Sequence, residues 1–250
     1  MIFYFTGTGN SKYAAEKISA KIGGEVISIA ECVKNDKYDF KLPAGEVLGF
    51  VYPVYCWTVP DIVKDFASKI KLTSDGDYYS FVLANCGGST GDSPKHFAKV
   101  FPVSAMFGIP MIDNYLPLEP QATTKDIAEF DLNRVDVILD GIIEDIQAKK
   151  TGNLNKYAGG MGGVLGLLTP AMYNFARSTK SFKVTDKCVS CGLCEKICPS
   201  DAIKLTDGHP VWVKPKCTMC YGCLNRCPKN AIELPKTAGK GQYVNPRTTL

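Results

Sequence analysis

Histidine is nearly absent from this chain: His96 and His209 are the two found in 250 residues. Imidazole catalysis needs a positioned partner, and neither His has one in step with it, so neither is given a catalytic role. Two phosphate-loop signatures are missing as well. No Gly-rich span ends in Gly-Lys-Ser/Thr, and Lys12 stands where a dinucleotide fingerprint would need its third glycine. No hydride-donor site is therefore visible. The first residues lack a basic stretch followed by an apolar run and a small-residue cleavage site, so no secretory leader is expected and the cytoplasm is the expected compartment. A net charge of +4 is too diffuse to mark a nucleic-acid partner.

Long apolar runs are scarce too. Tyr157–Ala176 has 20 residues without a charge, about the length of a membrane span, but its five Gly, a Pro and an Asn make it a poor helix in water or lipid. Membrane insertion is not expected. Residues 151–182 read instead as a linker in which this stretch is a buried docking segment between an N-terminal and a C-terminal domain.

What is present divides in two. Residues 1–150 carry 15 Lys+Arg against 20 Asp+Glu, and residues 183–250 carry 11 against 5. Such asymmetry arises when two domains face each other, when the basic end meets an acidic partner, or on an ordinary solvated surface. The acidic half alternates strand and helix. Apolar runs at Met1–Phe5, Val26–Ile29, Val47–Val54, Tyr79–Ala84 and Val103–Ile112 predict five buried parallel strands. Helices are predicted at Ser11–Ile22, at Pro60–Ile70, at Pro94–Phe101 behind a Ser93 cap, and between Thr124 and Lys150. In the last of these Ile127, Phe130, Val135, Ile138, Ile142 and Ile146 recur at helical spacing. The fold class is α/β, a doubly wound parallel sheet.

In such a sheet, ligands bind beyond the carboxyl ends of the strands. Three loops meet that edge. "TGTGNS" (Thr6–Ser11) follows strand one and leads into a helix, whose unpaired first N–H groups and dipole favour an anion. Its hydroxyls suit a phosphate monoester bound without a charged side chain; an ordinary capped turn is the alternative. "PVYCWTVP" (Pro53–Pro60) offers flat apolar side chains, and "NCGGSTGDS" (Asn85–Ser93) offers backbone, the combination a planar ring system wants. Core packing is the alternative for Tyr55 and Trp57.

These three loops resemble those of flavodoxin-type domains, and the resemblance covers residues 1–150. It implies an FMN site with Thr6, Gly7, Thr8, Gly9, Asn10 and Ser11 at the phosphate. Pro53, Val54, Tyr55, Trp57, Asn85, Gly87 and Gly88 are implied at the ring.

Eight of the eleven Cys lie between Cys188 and Cys227. "CVSCGLCEKICP" and "CTMCYGCLNRCP" each read C-x2-C-x2-C-x3-C-P, offset by 29 residues, and "CPSDAIKL" echoes "CPKNAIEL", so a duplicated half-domain is implied. Zinc sites use Cys-x-x-Cys pairs without a third Cys in step, and a reducing compartment disfavours disulfides. The spacing is that of cubane iron–sulfur clusters. Residues 183–250 resemble bacterial two-cluster ferredoxins, a small α+β fold. That resemblance implies two [4Fe–4S] clusters, one on Cys188, Cys191, Cys194 and Cys227, the other on Cys217, Cys220, Cys223 and Cys198. Cys32, Cys56 and Cys86 read as small apolar filler, with a redox thiol as the alternative at 56 and 86.

The whole chain resembles the flavodoxin–ferredoxin fusions called EFR1-family ferredoxins, largely proteins of anaerobes. The resemblance implies an electron-transfer iron–sulfur flavoprotein whose partner is a redox protein or a small-molecule acceptor. A flavin-dependent reductase of a small electron-poor substrate and a redox or oxygen sensor are the alternatives.

Overall fold

The structure is a computed structural model that describes residues 1–160 and 164–250, with the backbone alone at Val164 and Leu165. The first part runs β1 (Ile2–Tyr4), α1 (Asn10–Ile22), β2 (Val26–Ser28), α2 (Ile29–Lys34), β3 (Asp39–Leu42), β4 (Leu48–Pro53), α3 (Asp61–Lys69) and β5 (Lys71–Ser74). It continues with β6 (Ser80–Cys86), α4 (Ser93–Ala98), β7 (Ala105–Pro110), α5 (Lys125–Gln147) and β8 (Gly152–Asn153). Then come α6 (Val164–Ala176), β9 (Lys183–Val184), α7 (Leu193–Lys196), β10 (Ile203–Thr206), β11 (His209–Trp212), α8 (Gly222–Asn225) and β12 (Ile232–Glu233).

The central sheet is parallel in the order β2-β1-β4-β6-β7-β8. Its first five strands are the five expected from the apolar runs, and the order reverses beside β1, the place where such folds bind ligands. The sixth, β8, is a two-residue exposed strand that no apolar run announces. A parallel pair of β3 and β5 was likewise not expected; Phe40 and Leu42 turn inward from β3 while its other two residues face water. The second predicted strand stops at Ser28, whose hydroxyl accepts from Glu31 N at 3.3 Å and starts α2. Ser93 is the first residue of α4 rather than its cap.

Alternation along the strands fills two cores. Phe3, Phe50 and Tyr52 face α2, α3 and α4, with Phe66 of α3 packed 5.0 Å from the Phe3 ring and Phe97 of α4 4.8 Å from that of Phe50. Ile2, Val51, Phe81 and Phe107 face α1 and α5. The buried stripe of α5 is Ala128, Leu132, Val135, Leu139, Ile142 and Ile146. Ile127 and Phe130, expected on it, are 60% and 78% exposed because they fall outside the i, i+3/i+4 phase of that stripe.

The expected docking segment 157–176 includes residues 161–163, which lie outside the described residues. From Val164 it is helical despite Pro170. Proline at 170 has no N–H for the Gly166 carbonyl, and the Thr169 hydroxyl takes that acceptor at 2.9 Å instead. Thr169 and Tyr173 are buried, but Leu167, Leu168, Met172 and Phe175 are exposed, so only one face of the helix docks. Among the described residues no helix is long and apolar enough to cross a membrane.

The cysteine part has two short antiparallel strand pairs, the hairpin β10 with β11 and the pairing of its first and last strands, β9 with β12. Its duplication is written in the backbone: left-handed φ recurs at the repeat's spacing, at Ser190 and Met219, Gly192 and Tyr221, Asp201 and Asn230.

Residues beyond β12 return to the first part as a strap. Asn245 N donates to the Thr8 carbonyl at 2.8 Å, and the Tyr243 hydroxyl donates to Asn10 Oδ1 at 2.6 Å. Arg247 pairs with Glu129 at 2.6 Å and Asp136 at 2.9 Å and also donates to Asn133. The opposite charges of the two ends meet here. Losing such a charged network costs about 1–2 kcal/mol when partly exposed. In Arg247→Ala, trypsin cleavage at Lys236 and Lys240 is therefore expected to quicken about tenfold, because cleavage follows the population of the opened strap. Unchanged cleavage would mean that the strap is held by other contacts.

Candidate functional site

The loop from β1 to α1 passes between the two halves of the chain. A Cβ on Gly7 would overlap the Cys220 carbonyl, and one on Gly9 would lie 2.9 Å from both Asn245 Cβ and Thr248 Cγ2. Gly9 also holds φ at 103°, a left-handed turn that favours glycine. Both glycines thus allow close backbone approach by the C-terminal half. Asn10 has its side chain committed: Nδ2 donates to Ile112 O at 2.9 Å, and Oδ1 accepts from Tyr243 and Asn245.

The three hydroxyls differ. Thr6 Oγ1 accepts from Gly9 N at 2.9 Å, Thr8 Oγ1 from Asn114 Nδ2 at 2.9 Å, and Ser11 Oγ from Asn85 Nδ2 at 2.5 Å. Each hydroxyl accepts one bond and donates none among the described residues, so each O–H proton remains for an acceptor the loop does not supply. Among the described residues no side chain caps α1. Thr6, Thr8 and Ser11 line one cavity at this uncapped helix start, the arrangement that binds a phosphate.

That cavity shares Val54, Tyr55, Cys86, Gly87, Asp113 and Asn114 with a wider one of about 410 Å³. Tyr55 to Thr58 form a tight turn with left-handed φ at Cys56 and Trp57, closed by mutual backbone bonds of 3.2 and 3.0 Å. Trp57 lines the wide cavity, and its Nε1 donates to Ser89 Oγ at 3.0 Å, tying the aromatic loop to the Gly-rich one. Tyr55 is buried between both cavities, and its hydroxyl has no hydrogen-bond partner among the described residues. Pro53 ends β4 at the narrow cavity. Asn85 serves the hydroxyl loop through Ser11 rather than the wide cavity. Gly87 packs so closely on Asp113 that a Cβ would sit 2.5 Å from its carboxylate, whereas Gly88 faces open space.

Sequence reading missed a fourth loop. Asp113, Asn114 and Tyr115, after β7, line the wide cavity; their strand ends at the same carboxyl edge, which was the available signal. It also missed Met219 and Tyr221, which close the cavity from the cysteine half. His96 accepts or donates at Thr58 Oγ1, 3.1 Å away, and burial lowers its pKa.

The eight clustered cysteines ring two further cavities. Cys188, Cys191, Cys194 and Cys227 line one, together with Cys223; Cys198, Cys217, Cys220 and Cys223 line the other. Equivalent N–H groups point at sulfur, Ala202 N to Cys198 Sγ and Ala231 N to Cys227 Sγ, both at 3.3 Å. Such bonds suit thiolate ligands. Burial pushes the Cys220 thiol up to about 12, so without metal it is neutral, and ligation must release its proton. Among the described residues no three His, Cys, Asp or Glu side chains converge on a single-ion site.

Residues 1–131 match the family described as a flavodoxin domain, more than half of the chain. The chain belongs to the flavodoxin-domain family. Residues 187–232 match the 4Fe-4S dicluster domain. Together they make an iron–sulfur flavoprotein of electron transfer, with flavin, as FMN, in the first part and iron–sulfur clusters in the second. Among solved structures, the Trp repressor binding protein from Bacillus subtilis is similar at 15% identity, over 60% of this chain and 99% of that one, with a TM-score of 0.30. No curated protein matches.

The flavodoxin domain touches the dicluster domain at its ligand edge. Met219 and Tyr221, either side of Cys220, wall the wide cavity. Tyr221 holds φ at 53° where its repeat partner is Gly192, an unusual backbone for a bulky residue, and its ring lies 5.5 Å from Tyr115. Burial first, then the nearby Cys220, keeps the Tyr55 phenol well above its ordinary range.

Cys86 can be tested as a redox thiol. Its Sγ sits 3.8 Å from the Ile109 carbonyl, and burial, then Asp113, push its pKa up to about 12. It is neutral at pH 8 and behaves as filler. Iodoacetamide should leave it unmodified in native protein at pH 8, with labelling appearing only as the pH approaches 12. Peptide mapping that found it alkylated at pH 8 would restore the redox reading.

Proposed function

We propose that the chain is an electron carrier of the EFR1 type, in which FMN and two [4Fe–4S] clusters form one intramolecular path that ends on a redox partner protein or a small-molecule acceptor. The observation that carries this reading is the wall of the wide cavity: it is built from the two neighbours of Cys220. A flavin bound there takes electrons singly and passes them as pairs.

The residues fit the group. Thr6, Thr8 and Ser11 have protons to give a phosphate, beside the uncapped start of α1. The buried Tyr55 hydroxyl lacks a partner among the described residues, a state that costs about 1–3 kcal/mol and that a ligand acceptor or donor in the cavity would relieve. Trp57 and the Gly87–Gly88 backbone border the space for a ring. Met219 and Tyr221 stand between that space and the Cys198, Cys217, Cys220 and Cys223 site, with Tyr221 lining both cavities.

A flavin-dependent reductase is favoured by one observation. The cavity, about 410 Å³, is of ordinary size for a small-molecule site, and Gly88 on its wall faces open space, so a small molecule can approach a ring bound there.

Anaerobically purified protein is expected to hold FMN and about eight iron atoms, as two four-iron clusters require. Tightly bound zinc, or FAD in place of FMN, would exclude the reading. Wiring is tested by Cys198→Ala. It should lose the cluster of Cys217, Cys220 and Cys223, keep that of Cys188, Cys191 and Cys194, and retain FMN whose reduction by a low-potential donor is at least tenfold slower. Loss of the Cys188 cluster instead would reverse the crossed assignment, and an unchanged rate would take this cluster off the path.

A further inference from the structure

Arg226 follows α8 as its C-cap and immediately precedes Cys227. Its side chain is half-buried and lines the cavity of Cys188, Cys191, Cys194 and Cys227. Cys223, which belongs to the other cysteine set, lines this same cavity, so the cation stands beside both sets. Among the described residues it has no carboxylate within ion-pair distance and its guanidinium makes no hydrogen bond. The arginines at 134, 177 and 247 all have a carboxylate partner.

A guanidinium taken partly out of water with nothing opposite is costly, and such groups are normally paired. The repeat sharpens the point. The position 29 residues earlier is Ile197, which lines both cysteine cavities with an apolar side chain, so the fold does not need a cation at this place. A four-iron core on four thiolates is net negative and gains another negative charge on reduction. Net charge and nearby hydrogen bonds are what set its potential.

We propose that Arg226 is a fixed counter-charge shared by the two cluster sites, which raises both reduction potentials. Arg226 acts through the field and ligates nothing. The cation favours the reduced state of each site, and a shift common to both leaves the difference between the two potentials unchanged.

The proposal rests on the two-cluster reading, whose failure would show separately, as wild-type protein without four-iron signals. The test is a potentiometric titration of the anaerobically prepared full chain, followed by electron paramagnetic resonance. In Arg226→Gln both potentials should fall, each reduction equilibrium dropping about tenfold, which is about 59 mV for one electron. Arg226→Lys should stay close to wild type. Potentials unchanged in Arg226→Gln, or a fall at one cluster alone, would overturn the shared role, as would an equal fall in the Lys variant. If Arg226→Gln holds no iron, Arg226→Met, which keeps the apolar stem, carries the same expectation. Loss of iron from both, with retention in Arg226→Lys, would overturn tuning in favour of assembly.

Discussion

Two backbones in contact, at Gly7 and Cys220, set the scale for everything else in this protein. A single methyl at residue 7 would push the hydroxyl loop off the cysteine loop. Because the two meet without a side chain between them, the neighbours of Cys220 reach past the contact and form the wall of the flavin-side cavity. Tyr221 accepts a left-handed backbone to do so, and the rings of Tyr115 and Phe182 around it hold that conformation in place. Domain docking and the construction of the site are therefore the same event.

Much of the fold was legible because it rests on short-range signals. Buried parallel strands are apolar on both faces, so Leu48–Pro53 and Ser80–Cys86 stand out as runs. The cysteine spacing states its chemistry through ligand geometry. The elements that went unread are those whose reason lies elsewhere in the chain. Strand β8 is polar and exists because β7 offers it an edge. Helix α2 needs no more than the Ser28 hydroxyl to begin, and in sequence that Ser sits inside an apolar run. Phe130 shows the converse: it keeps helical spacing with one set of neighbours but is out of phase with the stripe that is buried.

The site was partly legible for the same reason. Loop composition pointed to a phosphate and a ring, yet it could not say how the polar residues divide their labour. Asn10 looks like a phosphate ligand in sequence, but three contacts from distant residues occupy its amide. Asn85, read with the ring, holds Ser11 in position. Gly7 and Gly9, read at the phosphate, also give room to another part of the protein, while Gly7 still lines the cavity of the hydroxyl loop. Each revision comes from a partner more than 70 residues away, which local pattern cannot carry.

The strap over the hydroxyl loop also orders events in time. Asn245 and Thr248 follow both cysteine runs in the chain, so during synthesis they emerge after the flavodoxin sheet and after every cluster ligand. Until then Thr8 O, Asn10 and Glu16 have no strap to bind. The nascent sheet thus waits with its cofactor loop open on the outer side. A loop that closes only behind the completed cysteine half ties maturation of the first cofactor site to translation of the second.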